Sequence, residues 1–229
     1  MANAGTTQDW AGAAEQRVLD EALRLAASEG WTRRMARLAG RAAGLSEGET
    51  ELLIPHGPAD LAALLADRHD ARALSMLQDV DPASLKIREA IRAGVEARLD
   101  AAAQDEPSTR RWLAWLALPP NAPLAAKLAW RSADVLWRWA GDAATDENHY
   151  SKRLLLAGIL SGGLALRMHA SRADALAFVD RRIEDVMRFE RLKATTPVRP
   201  YDLMAGAVRA LGRARYGRPQ PPPDLTDVP

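Results

Sequence analysis

The sequence predicts an all-α protein, a bundle of about ten helices. Ala, Leu, Arg and Glu dominate its 229 residues, β-branched residues are sparse, and Phe occurs only twice. Apolar residues recur every three or four positions, which places them on one side of a helix. Ser, Thr, Asp or Asn precedes most of these periodic segments and Gly or Pro follows, as expected at helix ends.

Composition limits the classes of function. With 31 basic and 30 acidic residues the net charge is +1, so the whole protein does not attract nucleic acid. The 48% hydrophobic content suits one large domain, or one domain with a small appendage. The absence of cysteine excludes a disulfide framework, a thiolate metal site and a cysteine nucleophile. No run of 18 apolar residues occurs, so we expect no bilayer-spanning helix.

The first three predicted helices are closely spaced. Gly30 ends the first, Thr32 caps the second, Gly44 ends the second, and Ser46 caps the third. We predict a disordered start at 1–12 and helices at 13–28, 32–43 and 47–53.

Pro, Asp and Asn mark the next four helices. Asp81-Pro82 combines an N-cap acid with Pro at the first helical position, Pro107-Ser108 caps the following helix, and Asn121 caps the one after it. We predict helices at 58–78, 82–103, 108–118 and 122–140.

The last third of the chain is predicted to contain three helices and two irregular, Pro-rich segments. The helices are 146–169, 172–193 and 201–216, with a linker at 195–200 and a disordered tail at 219–229. The predicted organisation is therefore a three-helix subdomain at 13–57, a helical bundle at 58–194, and a linker with a final helix at 195–218.

The three N-terminal helices, separated by Gly30-Trp31 and Gly44-Leu45-Ser46, resemble the helix-turn-helix of TetR-type regulators. In that fold the third helix enters the major groove and needs donors for phosphates and bases. Here it carries Glu47, Glu49 and Glu51, and no Lys or Arg occurs in 46–66. We predict that the scaffold is retained without binding to nucleic acid.

One segment is too specific to be ordinary packing. Residues 134–142 read DVLWRWAGD, 145–153 read TDENHYSKR, and 156–159 read LAGI. They bring acid, indole, amide, phenol and guanidinium groups to one helix-helix corner, although Gly141 and Thr145 or Asp146 would suffice to form it. The segment resembles the Coq-nine family of ubiquinone (coenzyme Q) biosynthesis accessory proteins, which descends from TetR-type regulators.

The resemblance implies a TetR-regulator-like bundle that encloses an isoprenoid quinone intermediate or a phospholipid. Gly158, Gly162 and Gly163 lie within one predicted helix, where missing side chains leave room for a neighbouring backbone or for a ligand. A plain hydrophobic core would use the same apolar side chains, and this alternative stays open. The predicted lipid-binding residues are Trp112, Trp115, Leu116, Leu156, Ile159, Leu160, Leu164 and Met168.

The resemblance also implies that the corner binds a partner, the di-iron hydroxylase that acts on demethoxyubiquinone. Trp, Tyr and Arg anchor interfaces more often than their abundance suggests. The alternative is that Trp137 and Tyr150 only pack the corner. The predicted partner-binding residues are Asp134, Trp137, Asn148, His149, Tyr150 and Arg153.

No motif in the sequence indicates catalysis, a cofactor or a metal. Asp142, Asp146 and His149 are close in sequence, but their spacing matches no metal-ligand pattern, and Asp142 is expected to accept backbone N–H groups at the turn. His69 and Asp70 are interpreted as a solvated helix end.

The final predicted helix is basic and amphipathic, which is typical of a helix that binds an anionic membrane surface. The alternative is that it docks on its own bundle or on a second subunit of a homodimer. The predicted membrane-binding residues are Leu203, Met204, Val208, Arg209, Leu211 and Arg213.

The sequence and the resemblance together predict a non-catalytic accessory protein that presents a quinone intermediate to the hydroxylase at the membrane. The alternative is a TetR-like transcriptional regulator that senses an apolar ligand. The start of the chain lacks the patterns of a secretory signal and of an arginine-rich transit peptide. We therefore expect a bacterial cytoplasmic protein on the inner face of the cytoplasmic membrane.

Overall fold

The computed structural model describes residues 4–142 and 147–195, with side chains for 10–142 and 149–188. Within these ranges the chain is helical and forms no strand, which confirms the predicted all-α bundle. Its α-helices there are α1 (Ala4–Glu29), α2 (Arg33–Ala42), α3 (Glu47–Leu53), α4 (Pro58–Met76), α5 (Ile87–Ala103), α6 (Glu106–Leu116), α7 (Ala122–Trp139), α8 (Glu147–His169) and α9 (Arg172–Thr195).

Side-chain caps define the short N-terminal helices. Thr32 Oγ1 accepts a hydrogen bond from the Met35 N–H at 3.1 Å, at the predicted start of α2. At the start of α3, Ser46 Oγ accepts from the Glu49 N–H at 3.2 Å, and the Glu49 carboxylate accepts from the Ser46 N–H at 2.8 Å. These bonds form a capping box. The hydrogen bonds from the Ser46 side chain and backbone also lower the pKa of Glu49.

Helices α2 and α3 approach each other at a glycine. A Cβ atom on Gly40 would lie 2.2 Å from Thr50 Oγ1, so this contact excludes any larger residue unless the helices separate. Glu47, Glu49 and Glu51 of α3 are all exposed, so this helix carries acidic side chains at the surface.

Three helix starts differ from their predictions, and one of them is that of α6, which begins at Glu106 rather than at 108. Helix α1 begins at Ala4, so residues 4–12 are helical although a disordered segment was predicted there. The Asp81-Pro82 signal starts only a single 3-10 turn (Pro82–Ser84), because the chain is extended again at Leu85 and Lys86. Helix α5 begins after Lys86, whose N–H donates to the Glu89 carboxylate at 3.2 Å.

Two of the three glycines of α8 serve packing between helices. A Cβ on Gly162 would lie 2.7 Å from the Phe178 ring of α9, and one on Gly163 would lie 3.2 Å from Val179 and 3.3 Å from Leu99. Gly158 has open space around it. The sequence analysis offered a neighbouring backbone or a ligand as the occupant, but Gly162 and Gly163 leave room for neighbouring side chains instead.

The chain divides into two compact units, Met1–Ile183 and Glu184–Pro229. The first contains all of α1 to α8 and the start of α9. The described part of the second unit is the end of α9, where Arg188 Nη2 donates to Glu184 Oε1 at 2.9 Å. The final helix predicted at 201–216, including every predicted membrane-binding residue, lies outside the described residues.

Candidate ligand cavity and helix corner

A cavity of about 270 Å³ lies inside the bundle, walled by α4, α5, α6, α7 and α8. Its walls are mostly apolar, with Leu99 on α5, Leu113 on α6 and Leu128 on α7 among them. Ala117, Ser161 and Ala165 also line it and are exposed, so the cavity reaches the surface beside α8. An apolar ligand could therefore enter without unfolding the bundle.

The predicted lipid-binding residues divide into two groups. Those that line the cavity are Trp112, Leu116, Leu160 and Leu164, and those that do not are Trp115, Leu156, Ile159 and Met168. Leu156, Leu160, Leu164 and Met168 form one stripe of α8 with a spacing of four residues. The cavity covers only the middle of this stripe, so Leu156 and Met168 are core residues one turn beyond its ends.

A polar cluster that the sequence analysis missed lies at the cavity. Arg98 lines it, is 4% exposed, and donates from Nε to Asp70 Oδ1 at 2.5 Å. Ser132 also lines it, and its hydroxyl lies 2.8 and 2.9 Å from the two Asp70 oxygens. The interpretation of Asp70 as part of a solvated helix end is wrong, because Asp70 is buried. Asp70 lies four residues after Ala66, which is also buried, and this helical spacing was the signal in the sequence that Asp70 faces the core.

His69 is buried too, which corrects the other half of that interpretation. Its Nε2 lies 3.1 Å from Asp105 Oδ2, which also accepts from Arg72 Nη1 at 2.5 Å. The His69 ring meets the Trp112 ring edge to face at 6.0 Å between centroids. Burial lowers the pKa of His69 to about 4, against the opposing hydrogen bond with Asp105. His69 is therefore neutral at pH 7, with Nε2–H donating to Asp105.

The corner between α7 and α8 opens with a Schellman motif. Gly141 has φ +86°, its N–H donates to the Arg138 carbonyl at 3.0 Å, and the Asp142 N–H donates to the Trp137 carbonyl at 3.0 Å. This turn aims the Asp142 carboxylate at α8. Contrary to the sequence analysis, that carboxylate accepts from two side chains, Lys152 Nζ at 2.9 Å and Arg153 Nη1 at 3.2 Å.

Arg153 is the centre of the corner and lies inside the protein. It is 1% exposed, and its Nε donates to Asp134 Oδ1 at 2.5 Å. Burial alone would raise the pKa values of Asp134 and Asp142, but hydrogen bonds and charges from Arg153, Arg138 and Lys152 lower both. The guanidinium of Arg153 is therefore bonded to two carboxylates within the corner, and its role in partner binding stays a prediction.

The other predicted partner-binding residues differ in exposure. Tyr150 is 66% exposed and lies against Trp130 and His149, with ring centroids 5.9 and 5.3 Å away. Trp137 is half-buried, and its Nε1–H donates to the Lys152 carbonyl at 3.2 Å. Asp134 faces Arg153 as described above, and the Asn148 side chain lies outside the described residues. Of the described members, Tyr150 is thus the one with most of its side chain in solvent.

The exposed face of α8 continues from Tyr150 towards the cavity opening. Leu154 is 68% exposed and Leu155 is 42% exposed, although both are large and apolar. From Tyr150 to Ala165 the exposed residues of α8 carry no charge; they are Tyr150, Ser151, Leu154, Leu155, Gly158, Ser161 and Ala165. An uncharged face this long on a surface helix is typical of a contact surface.

In the described part of the chain, no group of three or more His, Asp or Glu side chains is placed to hold a metal ion. None of the helices described here is both long and apolar enough to cross a membrane.

Residues 122–190 match the COQ9 family model, and this range contains the corner and the two cavity walls formed by α7 and α8. The rat protein "Ubiquinone biosynthesis protein COQ9, mitochondrial" is 28% identical over 208 residues, which is 85% of this chain and 66% of the rat protein. The human protein of the same name is 26% identical over 208 residues, 85% of this chain and 65% of its own. A Xenopus laevis relative, COQ9-A, is 33% identical over 103 residues, 42% of this chain and 32% of its own.

These comparisons confirm the resemblance that the corner motif indicated and correct one expectation. The matched part spans about two thirds of the length of the rat and human relatives. All three relatives are named as mitochondrial proteins, which contradicts the predicted bacterial cytoplasmic location.

Proposed function

We propose, with the similarity to the COQ9 family as the premise, that this protein serves ubiquinone biosynthesis as a non-catalytic, lipid-binding accessory protein. It holds an isoprenoid quinone intermediate in the bundle and presents it to the di-iron hydroxylase that acts on demethoxyubiquinone. The observation that carries this proposal is the apolar cavity of about 270 Å³ that opens beside an uncharged face of α8.

The cavity supports the lipid-binding part of the proposal. Trp112 and Leu116 contribute wide apolar surfaces from α6, and Leu160 and Leu164 contribute them from α8. Burial of apolar ligand surface here gains roughly 25 cal/mol per Å². The volume holds only part of a long lipid, so the rest of the molecule has to continue towards the opening.

The exposed face of α8 supports the partner-binding part. Tyr150 and Leu154 expose most of their side chains, and Ser161 and Ala165 on the same face also line the cavity. A hydroxylase bound to this face would cover the cavity opening. The lipid could then pass between the two proteins without crossing water.

A cavity-filling pair of variants tests lipid binding. Ala125 and Ala126 are adjacent on α7, but only Ala125 lines the cavity, whereas Ala126 is exposed. Ala125→Trp should abolish the isoprenoid lipid found by mass spectrometry in organic extracts of gently purified protein. Ala126→Trp is the matched control and should retain it. Wild-type protein that carries no lipid in such extracts would contradict the proposal.

A second pair tests partner binding. Tyr150→Ala with Leu154→Ala should weaken capture of the hydroxylase by at least about thirty-fold, because truncating an interface anchor commonly costs about 2 kcal/mol or more. Leu52 on α3 is also large, apolar and 77% exposed, so Leu52→Ala controls for a general loss of surface hydrophobicity. If the wild type, the double variant and Leu52→Ala all capture the hydroxylase equally, the α8 face is not the partner surface.

A further inference from the structure

We propose that Arg98 and Trp112 bind the oxygen-bearing head of a neutral ring ligand at the buried end of the cavity, while the ligand's apolar tail leaves beside Ser161 and Ala165. This inference rests on the proposed lipid-binding function. It assigns the orientation of the ligand and the residues that select its head.

The first step concerns two buried donors. Arg98 Nη1 and Trp112 Nε1 are both shielded from solvent and have no hydrogen-bond partner among the described residues. Both residues line the cavity, and both groups can only donate. A buried donor without an acceptor costs free energy, and native proteins rarely leave one so. A ligand oxygen would supply the missing acceptor.

The second step concerns charge. The Arg98 guanidinium is already neutralised by Asp70 through the 2.5 Å hydrogen bond, and Ser132 adds a hydrogen bond to the same carboxylate. An anionic head would therefore bring a second buried negative charge to a cation that is already paired, at a high desolvation cost. A neutral carbonyl or hydroxyl oxygen accepts a hydrogen bond without that cost.

The third step concerns size and direction. At the roughly 30 Å³ that one water occupies in the liquid, 270 Å³ holds on the order of ten non-hydrogen atoms. That is a six-membered ring with a few substituents, without a long chain. The polar donors are buried and the exposed wall is uncharged, so the ring enters first and the tail remains towards the opening.

The test compares two probes that differ in head oxygens. Decylubiquinone carries a quinone ring and decylbenzene a plain ring, with the same tail, and both are titrated into the full-length protein in neutral detergent micelles by calorimetry. The wild type should bind decylubiquinone roughly ten- to hundred-fold more tightly, as expected for hydrogen bonds from a charged donor. Arg98→Lys keeps the charge opposite Asp70 but replaces the guanidinium, and should lose most of this preference with decylbenzene affinity unchanged.

Two further variants keep the test decisive. Arg92→Lys makes the same substitution on α5, where Arg92 pairs with Asp180 away from the cavity, and should behave like the wild type. If Arg98→Lys does not fold, Trp112→Phe provides a second test. It removes the indole N–H and one of the two rings, and should also reduce the preference for decylubiquinone.

Each remaining outcome counts against the inference. Equal binding of the two probes by the wild type, or a preference that survives in Arg98→Lys and Trp112→Phe, would overturn it and leave lipid binding standing. If phosphatidylglycerol displaces decylubiquinone from the wild type but not from Arg98→Lys, the site selects an anionic head instead. If the wild type binds neither probe, the proposed lipid-binding function fails as well.

Discussion

Removing the guanidinium of Arg153 should destabilise the fold. Arg153→Met keeps the length of the side chain but leaves Asp134 and Asp142 without the donors at 2.5 and 3.2 Å. Breaking a buried ion pair costs about 3–5 kcal/mol. Here Arg138 still pairs with Asp134 at 2.8 Å and Lys152 with Asp142 at 2.9 Å, so we expect a loss of about 2–4 kcal/mol in the free energy of unfolding.

Urea unfolding at pH 7, followed by circular dichroism, measures this loss. Tyr150→Ala is the control on the same corner, and it should change stability by less than about 1 kcal/mol because the side chain is largely exposed. The difference between wild type and Arg153→Met should also depend on pH. The pKa values of both carboxyls lie below the usual 3.8, so the stabilisation is present above that value and is lost as the pH falls through the lower, folded-state values.

A stability of Arg153→Met within about 0.5 kcal/mol of the wild type at pH 7 would refute this reasoning. It would mean that the guanidinium is not buried between the carboxylates. Arg153 would then be available to a partner, as the sequence analysis expected.

Three further predictions follow from other parts of the molecule. The pKa of His69 falls from 6.5 to about 4 on folding, so the folded protein favours the neutral imidazole. Between pH 7 and pH 5 the free energy of unfolding of the wild type should therefore fall by about 2 kcal/mol more than that of His69→Gln, as measured by urea unfolding. Parallel pH profiles for the two proteins would contradict this. Gly40→Ala should destabilise the fold by about 1–3 kcal/mol because the new methyl group clashes with Thr50. Gly158→Ala should be neutral or stabilise the fold by up to about 1 kcal/mol. Similar melting temperatures for the two variants would be inconsistent with the packing of α2 on α3. Deleting residues 201–229 should leave the bundle folded but abolish sedimentation with anionic liposomes, and unchanged sedimentation would exclude a membrane role for the predicted final helix.

Local signals were sufficient for much of the secondary structure. Ser46 and Glu49 form the capping box within four residues of each other, and Gly141 provides the positive φ that ends α7. Each depends on neighbours along the chain, so the sequence alone indicates it. The Asp81-Pro82 signal led to a prediction of a long helix, but only one helical turn follows it. The signal marks the start of a helix, and nothing local determines whether the helix continues.

The sequence by itself determined the all-α class, most helix ends and the resemblance to the COQ9 family, because helical periodicity, caps and the corner motif are local patterns. The tertiary structure decided which polar residues are buried and where the cavity lies. Asp70 becomes a core residue because Arg98 and Ser132, 28 and 62 positions away, donate to its carboxylate. Arg153 is likewise buried because the turn at Gly141 brings Asp142 to it, beside Asp134. A buried charge is stable only where a partner from elsewhere in the chain compensates it, and the packing of the helices creates that pairing.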